Sequence, residues 1–147
     1  FNHTLTISTF TPYSSSSLNA TVGQPVGVSK ACLSCHDGTV ALNAFGGNGG
    51  GATTEKMGDL YPTRNLGTDL SNDHPVSFLF NAALATADGG LVDPGTLPSE
   101  VRLFDGLLQC ATCHDVHQTR GTAATANNKL LVVSIANSAL CLTCHTK

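Results

Sequence analysis

Six cysteines and six histidines stand out in this chain of 147 residues. All six cysteines fall into three copies of one frame, Cys-x-x-Cys-His, and none is left over. At this composition the frame is expected by chance roughly 0.01 times in the whole chain. The first, second and third motifs, as we name these copies, span residues 32–36 (CLSCH), 110–114 (CATCH) and 141–145 (CLTCH).

The Cys-x-x-Cys-His frame is the attachment frame of c-type haem. Two thiols add to the two vinyl groups on one porphyrin edge, and the two residues between them coil into a turn that matches that edge. The histidine that follows then projects its imidazole onto the iron. The sequence therefore predicts three covalently attached haems. The predicted attachment residues are Cys32, Cys35, Cys110, Cys113, Cys141 and Cys144, and the predicted first iron ligands are His36, His114 and His145.

Three other uses of paired cysteines fit the pattern less well. A disulfide framework would not require a histidine after every second cysteine. A structural zinc site takes four ligands from paired Cys-x-x-Cys units, and three units cannot pair off. A thioredoxin-like redox site needs one such motif within a βαβ pattern, not three.

Three histidines remain for the second axial positions: His3, His74 and His117. One spare imidazole for each iron is the balance expected for bis-histidine ligation of all three haems. Methionine is the usual alternative ligand, and the sole methionine, Met57, could serve one haem at most.

The position of each spare histidine suggests a pairing. His117 follows His114 by three residues, so on a helix the two would share a face and could not bind one iron. We expect His117 to reach the haem of the first motif, with that of the third motif as the alternative. His74 precedes Pro75, which favours extended backbone, and we assign it to the haem of the second motif. His3 lies near the end of the chain, and such segments fray unless a contact holds them. As a ligand, His3 would be held by an iron of this subunit or of a neighbouring one.

Few regular elements are expected around the motifs. The predicted fold is mostly irregular and haem-cored, with a few short α-helices at the attachment motifs and little β-structure. Ser29 and Ser138 each stand three residues before the first cysteine of a motif, where they suit helix N-caps. Residues 4–10 alternate polar and apolar side chains, which is typical of an exposed extended strand.

The chain is expected to form a single three-haem domain, residues 1–147, with residues 1–28 as an extended N-terminal arm. It contains only six Phe, two Tyr and no Trp, so large side chains for a core are scarce. The haems are therefore predicted to act as the core, and we expect no folding without them. Their expected packing partners are Leu107, Leu108, Leu130, Leu131, Val132, Val133, Ile135 and Leu140.

Composition excludes two classes of partner. Seven Lys plus Arg against ten Asp plus Glu give a formal charge of −3, which excludes a basic nucleic-acid-binding face. No run of eighteen apolar residues occurs, so we expect no membrane-spanning helix. Because c-type haem implies export, the chain is expected to be a mature form whose leader has been removed.

Residues 29–45, 72–80 and 107–147 resemble the doubled-CxxCH multihaem cytochromes c. Their motifs here are CLSCHDGTVA, DHPVSF and CATCHDVH followed by LLVVSIANSALCLTCH. The resemblance implies an exported protein that takes up haem outside the cytoplasm and carries electrons in respiratory or extracellular chains. Some similar small cytochromes polymerise into extracellular filaments, or nanowires, in which a terminal histidine ligates a haem of the next subunit. That arrangement would suit His3.

The sequence thus predicts electron transfer through three bis-histidine haems, and not an enzyme, because a saturated iron has no site for substrate. The preferred assignment is a homopolymeric extracellular filament, since few surface charges oppose association. The alternative is a periplasmic or cell-surface carrier that does not polymerise. Other redox proteins or extracellular acceptors are the expected partners. An enzyme would need one five-coordinate iron, and so one spare histidine that is not a ligand.

Overall fold

The structure, a computed structural model, describes residues 2–46, 55–117 and 130–146. These residues are mostly irregular, with short elements between long connections. None of the helices within them is long and apolar enough to cross a membrane. The helices are α1 (Gly27–His36), α2 (Met57–Leu60), α3 (Ala82–Asp88), α4 (Cys110–Cys113) and α5 (Ala139–Leu142); the strands are β1 (Phe78–Leu79) and β2 (Leu107–Leu108). Single 3₁₀ turns lie at Pro62–Arg64, Pro94–Thr96 and Ala136–Ser138.

Contacts within the chain divide it into two compact units. Unit 1 comprises Phe1–Ser15 and Val22–Ser77, and unit 2 comprises Ser16–Thr21 and Phe78–Lys147. The first motif lies in unit 1, whereas the second and third motifs lie in unit 2. The single haem-cored domain stays a prediction.

Helix α1 in unit 1 carries the whole first motif. It follows Val26, whose side chain makes no capping hydrogen bond, and Ser29 lies inside its first turn, fully buried. The predicted cap at Ser29 is therefore wrong, because the helix begins before that residue. Ser138 does hold the N-cap position of α5, but its side chain makes no capping hydrogen bond there.

The end of α1 requires a glycine. The N–H of Asp37 donates to the carbonyl oxygen of Leu33 at 2.7 Å, and the chain then turns at Gly38 with φ of +71°. A Cβ atom at Gly38 would lie 2.6 Å from Oδ1 of Asn65. The left-handed backbone and this close approach together favour a residue without a side chain.

The apolar core of unit 1 is small and contains one residue of the first motif. Leu33, between the two cysteines, is 1% exposed and clusters with the buried side chains of Phe10 and Leu70. Phe10 is placed by Gln24, whose side-chain amide accepts from the N–H of Phe10 at 2.7 Å and donates to its carbonyl oxygen at 2.8 Å. The core therefore ties the N-terminal segment to α1.

Residues 4–10 do not form the predicted strand, and at Thr6 and Ile7 the usual burial of apolar side chains and exposure of polar ones is reversed. Thr6 is fully buried, whereas Ile7 is 98% exposed. The backbone N–H of Thr6 donates to Oγ of Ser34 at 2.9 Å, and Oγ1 of Thr6 lies 3.2 Å from Oγ1 of Thr39. The inward-facing surface is thus polar, which explains why threonine rather than isoleucine is buried here.

Unit 2 is built around a two-stranded antiparallel pair and α3. Phe78 of β1 pairs with Leu108 of β2. Asn81 caps α3 by accepting the N–H of Leu84 at 2.9 Å, and Gly89 ends it in the left-handed conformation. Among the described residues of this unit, the buried apolar ones are Phe78, Phe80, Ala85, Val101 and Leu108.

Of the residues expected to pack on haem, only Leu108 is buried by the polypeptide. Leu130 and Ile135 are exposed, and the others are half-buried. Their packing against haem stays a prediction.

Candidate functional site

The packing of α1 determines which side chains of the first motif are accessible. Its two middle residues, Leu33 and Ser34, are buried, whereas Cys32, Cys35 and His36 are half-buried. Ser34 is held from both sides, since its hydroxyl donates to the carbonyl oxygen of Lys30 at 2.7 Å and accepts the N–H of Thr6. The two thiols and the imidazole are therefore the more accessible part of the motif.

His36 is oriented by the turn that follows α2. Its Nδ1 lies 2.8 Å from the carbonyl oxygen of Arg64, and its own carbonyl oxygen accepts the N–H of Leu66 at 2.7 Å. Because a carbonyl only accepts, the side-chain contact is a hydrogen bond when Nδ1 carries the proton. That tautomer places the lone pair on Nε2, as required of a metal-binding histidine.

His3 lies against the first motif. Its Nε2 is 3.7 Å from Sγ of Cys35, and the ring is 7% exposed. The ring also meets Phe45 edge-on, with 5.1 Å between centroids and 81° between planes. His3 and Phe45 form an isolated antiparallel bridge, so the predicted N-terminal ligand is placed by backbone pairing.

His74 also belongs to unit 1, and its side chain is exposed. Nδ1 of His74 lies 2.9 Å from the carbonyl oxygen of Pro75. The residue borders a shallow depression lined by Tyr13, Val22 and Leu70. His74 therefore has the same Nδ1-to-carbonyl arrangement as His36, in a solvent-accessible position.

The second motif begins on α4 and ends outside it. Oγ1 of the buried Thr112 accepts the N–H of Gln109 at 3.0 Å, which fixes the first turn. His114 leaves the helix with extended backbone and pairs with Leu131 in an antiparallel bridge. Hydrogen bonds from Asp115 N–H to the carbonyl oxygen of Leu130 (2.8 Å) and from Val132 N–H to that of Cys113 (2.9 Å) hold this pairing.

The third motif is held mainly by backbone. Cys141 is exposed on α5, and the helix ends at Leu142, before Cys144. The carbonyl oxygen of Cys144 accepts the N–H of Val92 at 2.9 Å, and the N–H of Thr146 donates to Gly90 at 2.9 Å. His145 lies between these two bonds and pairs with Leu91.

The thiol of Cys113 lies within electrostatic range of the other three thiols of unit 2. Burial, then the neighbouring Cys144, Cys110 and Cys141, raise the pKa of Cys113 to about 11. Burial also raises the pKa of Cys144, against a smaller lowering by the Thr143 hydroxyl. The second and third motifs are therefore neighbours in unit 2.

In unit 1 the pKa of Cys35 is raised by burial and, to a lesser extent, by the carboxylate of Asp37.

All six cysteines lie in described residues and are free of disulfides. Across residues 2–46, 55–117 and 130–146 we find no group of three or more His, Cys, Asp or Glu side chains that could hold a metal ion.

His117 is exposed and does not continue a helix from His114. Its N–H donates to Oδ1 of Asp115 at 2.8 Å, in a turn beyond the end of α4. The premise that His114 and His117 share a helical face is therefore wrong, because α4 ends at Cys113. The assignment of His117 to the haem of another motif stays a prediction.

Motifs and spare histidines are divided unequally between the units. Unit 1 contains the first motif with His3 and His74, and unit 2 contains the other two motifs with His117. The structure brings His3 to the first motif, a contact that the sequence left open. The acceptors that orient the imidazoles, such as the carbonyl oxygen of Arg64, could not be predicted from the sequence, because every residue has a main-chain carbonyl.

The chain matches no protein-family model, and no protein of curated function shows significant sequence similarity to it.

Proposed function

We propose that this chain is an exported electron-transfer protein that carries three covalently attached c-type haems. The observation that carries the proposal is the three-fold Cys-x-x-Cys-His frame with no cysteine left over. The packing of the first motif supports it. Leu33 and Ser34 are buried in unit 1, while both thiols and the imidazole of His36 stay accessible for attachment and ligation.

The cysteine thiols and histidine imidazoles of the chain are the groups that hold c-type haem. Cys32 and Cys35, with the corresponding pairs of the other motifs, would hold the porphyrins. His36 would be the first axial ligand of its iron, and its Nδ1 contact with Arg64 favours the tautomer that presents Nε2. His74 has a comparable contact at 2.9 Å and is a candidate second ligand. His114 and His145 would be the other first ligands, and His3 and His117 complete the proposed set.

Bound haem supplies reversible one-electron oxidation and reduction. Imidazoles on both sides would leave no position for substrate, so we propose a carrier and not an enzyme. Two imidazoles also favour a lower reduction potential than a His/Met pair. The proximity of the second and third motifs in unit 2 supports exchange of electrons between their haems.

We further propose that copies of the chain polymerise into an extracellular filament. Only 12% of the residues are charged, so repulsion between copies is weak. Large apolar side chains are also exposed; they include Leu5, Ile7, Leu60, Leu79, Val116 and Leu142. The second candidate is a periplasmic or cell-surface carrier that does not polymerise. Redox proteins or extracellular acceptors would be partners in either case.

The test of haem attachment is the intact mass of the chain made in a host that attaches c-type haem. We expect the mass of the polypeptide plus three haems, and visible bands that sharpen on reduction with dithionite. As a matched control, the Cys141→Ser/Cys144→Ser variant should carry two haems. A mass equal to that of the bare polypeptide would refute the proposal.

Negative-stain electron microscopy of the haem-loaded protein separates the two candidates. Filaments of uniform width are expected if the chain polymerises, and replacing the exposed Ile7 or Leu142 by Glu should shorten them. Single particles at every concentration would favour the carrier that does not polymerise.

A further inference from the structure

We propose that His3 is the second axial ligand of the haem attached at Cys32 and Cys35 of its own chain. This inference rests on the proposed function and makes it more specific. It assigns to the first motif a histidine that could otherwise serve a neighbouring subunit. The structural basis is the placement of the His3 ring beside Cys35.

Distance and burial give the first argument. Nε2 of His3, the usual iron-binding atom, lies 3.7 Å from Sγ of Cys35, one of the two attachment atoms. The ring is 7% exposed and is covered on one side by the edge-on contact with Phe45. A histidine buried against an attachment thiol is placed for the haem that this thiol holds.

The hydrogen bonds of the ring give the second argument. Nδ1 lies 2.8 Å from the carbonyl oxygen of Thr4, and Nε2 lies 2.9 Å from that of Ala41. A neutral imidazole has one N–H, so it can donate to only one of these two acceptors. Ligation through Nε2 would keep the bond from Nδ1 to Thr4 and replace the contact with Ala41. His36 has the same arrangement, with Nδ1 at 2.8 Å from a carbonyl oxygen.

Backbone contacts on both sides of His3 give the third argument. The N–H of Thr4 donates to the carbonyl oxygen of Ala44 at 2.8 Å, and that of Gly46 donates to Asn2 at 3.1 Å. Further along, Thr6 is bonded to Ser34 of the first motif itself. An N-terminal segment that crossed to another subunit would lose these bonds, whereas ligation within the chain keeps them.

Assigning His3 to the first motif changes which spare histidines remain for the other haems. Unit 1 has two spare histidines for one haem, and unit 2 has one, His117, for two haems. If His3 serves the first motif, His74 is the histidine that unit 1 does not need for its own haem.

The test compares His3→Ala with the unaltered chain, both carrying haem and both isolated as monomers. Electron paramagnetic resonance should show one more high-spin haem in His3→Ala, which should also bind one more cyanide per chain. Added imidazole should restore the low-spin signal. Equal numbers of high-spin haems in the two monomers would overturn the assignment, because a ligand acting between subunits is already absent from the monomer.

Two further variants locate the affected haem. In a Cys32→Ser/Cys35→Ser background, which lacks the first haem, His3→Ala should cause no further change; a change there would overturn the proposal. In the otherwise unaltered chain, His3→Met should raise the reduction potential of one haem, since thioether ligation raises it. Unchanged potentials would count equally against the assignment.

His74→Ala is the matched control, because His74 lies in the same unit with its side chain exposed. Adding His3→Ala to it must still produce one additional high-spin haem, and failure to do so would contradict the assignment. The intact mass separates the two levels of inference. A chain without haem overturns both proposals, whereas three haems with an unchanged spin state overturn only the role of His3.

Discussion

The first and third motifs share a pattern but differ in how the chain covers them. Both read Ser-x-x-Cys-Leu-[Ser/Thr]-Cys-His, in residues 29–36 and 138–145. The leucine between the cysteines is 1% exposed at Leu33 but 51% exposed at Leu142. The serine is fully buried inside α1 at Ser29, whereas Ser138 is exposed and has a left-handed backbone.

The difference arises outside the motifs. Leu33 is covered by Phe10 and Leu70, which come from segments far along the chain on either side. No comparable apolar cluster of described residues covers Leu142, and the third motif depends on backbone pairing with Gly90–Val92. The same Cys-x-x-Cys-His frame is therefore packed against an apolar cluster in the first motif and exposed in the third.

Leucine-to-alanine substitution in the two motifs should give the largest contrast. Leu33→Ala removes a fully buried side chain and should lower the free energy of unfolding by about 3 kcal/mol. Leu142→Ala removes a half-exposed one and should cost about 0.5 kcal/mol in the monomer. Guanidinium unfolding of the haem-loaded proteins, followed at the Soret band, measures both. Equal losses would show that Leu142 is as well covered as Leu33.

The next residue of each motif should show a smaller contrast. Ser34→Ala removes the bond to Lys30 and leaves the buried N–H of Thr6 without its acceptor, which should cost about 2 kcal/mol. Thr143→Ala removes only local contacts, 2.6 Å to the carbonyl oxygen of Leu140 and 3.8 Å to Sγ of Cys144, and should cost about 0.5 kcal/mol. Hydrogen exchange at the Thr6 amide should accelerate only in Ser34→Ala; an unchanged rate would argue against this contact.

The residues that follow the motifs give the smallest contrast. In the first motif the histidine is followed by Asp37 and Gly38, whereas in the third it is followed by Thr146 and Lys147. Gly38→Ala should cost about 1 kcal/mol, since alanine disfavours positive φ and its Cβ would displace the Asn65 side chain. Gly23→Ala is the control, because a Cβ added there would meet nothing within 4 Å, and its melting temperature should stay nearly unchanged. Equal melting temperatures in the two variants would contradict the steric argument.

The sequence predicted that short helices lie at the motifs, but not how far each helix extends. Short helices do lie at the motifs: α1 contains the first completely, α4 carries both cysteines of the second, and α5 carries only Cys141 of the third. The extent of each helix depends on tertiary contacts, such as those of Leu33, which a local pattern does not encode. The same reason explains the misplaced cap at Ser29.

Long-range placement was the least predictable part. Alternation in residues 4–10 predicted a strand, but Thr6 is buried because its partners, Ser34 and Thr39, are polar. The contact between His3 and Cys35 joins residues 32 positions apart and has no local signature. Haem ligation by the spare histidines stays a prediction, and the structure adds which unit holds each one.

The acceptor for His36 is a main-chain oxygen, and this has a consequence for substitution. Changing the Arg64 side chain would leave that oxygen in place, so the identity of residue 64 is free to vary without altering the histidine's partner. Only a shift of the Pro62–Arg64 turn would weaken the bond. The bond makes the imidazole a stronger donor to a metal. Under the proposed function, the geometry of this turn would therefore tune the affinity of the first haem for electrons.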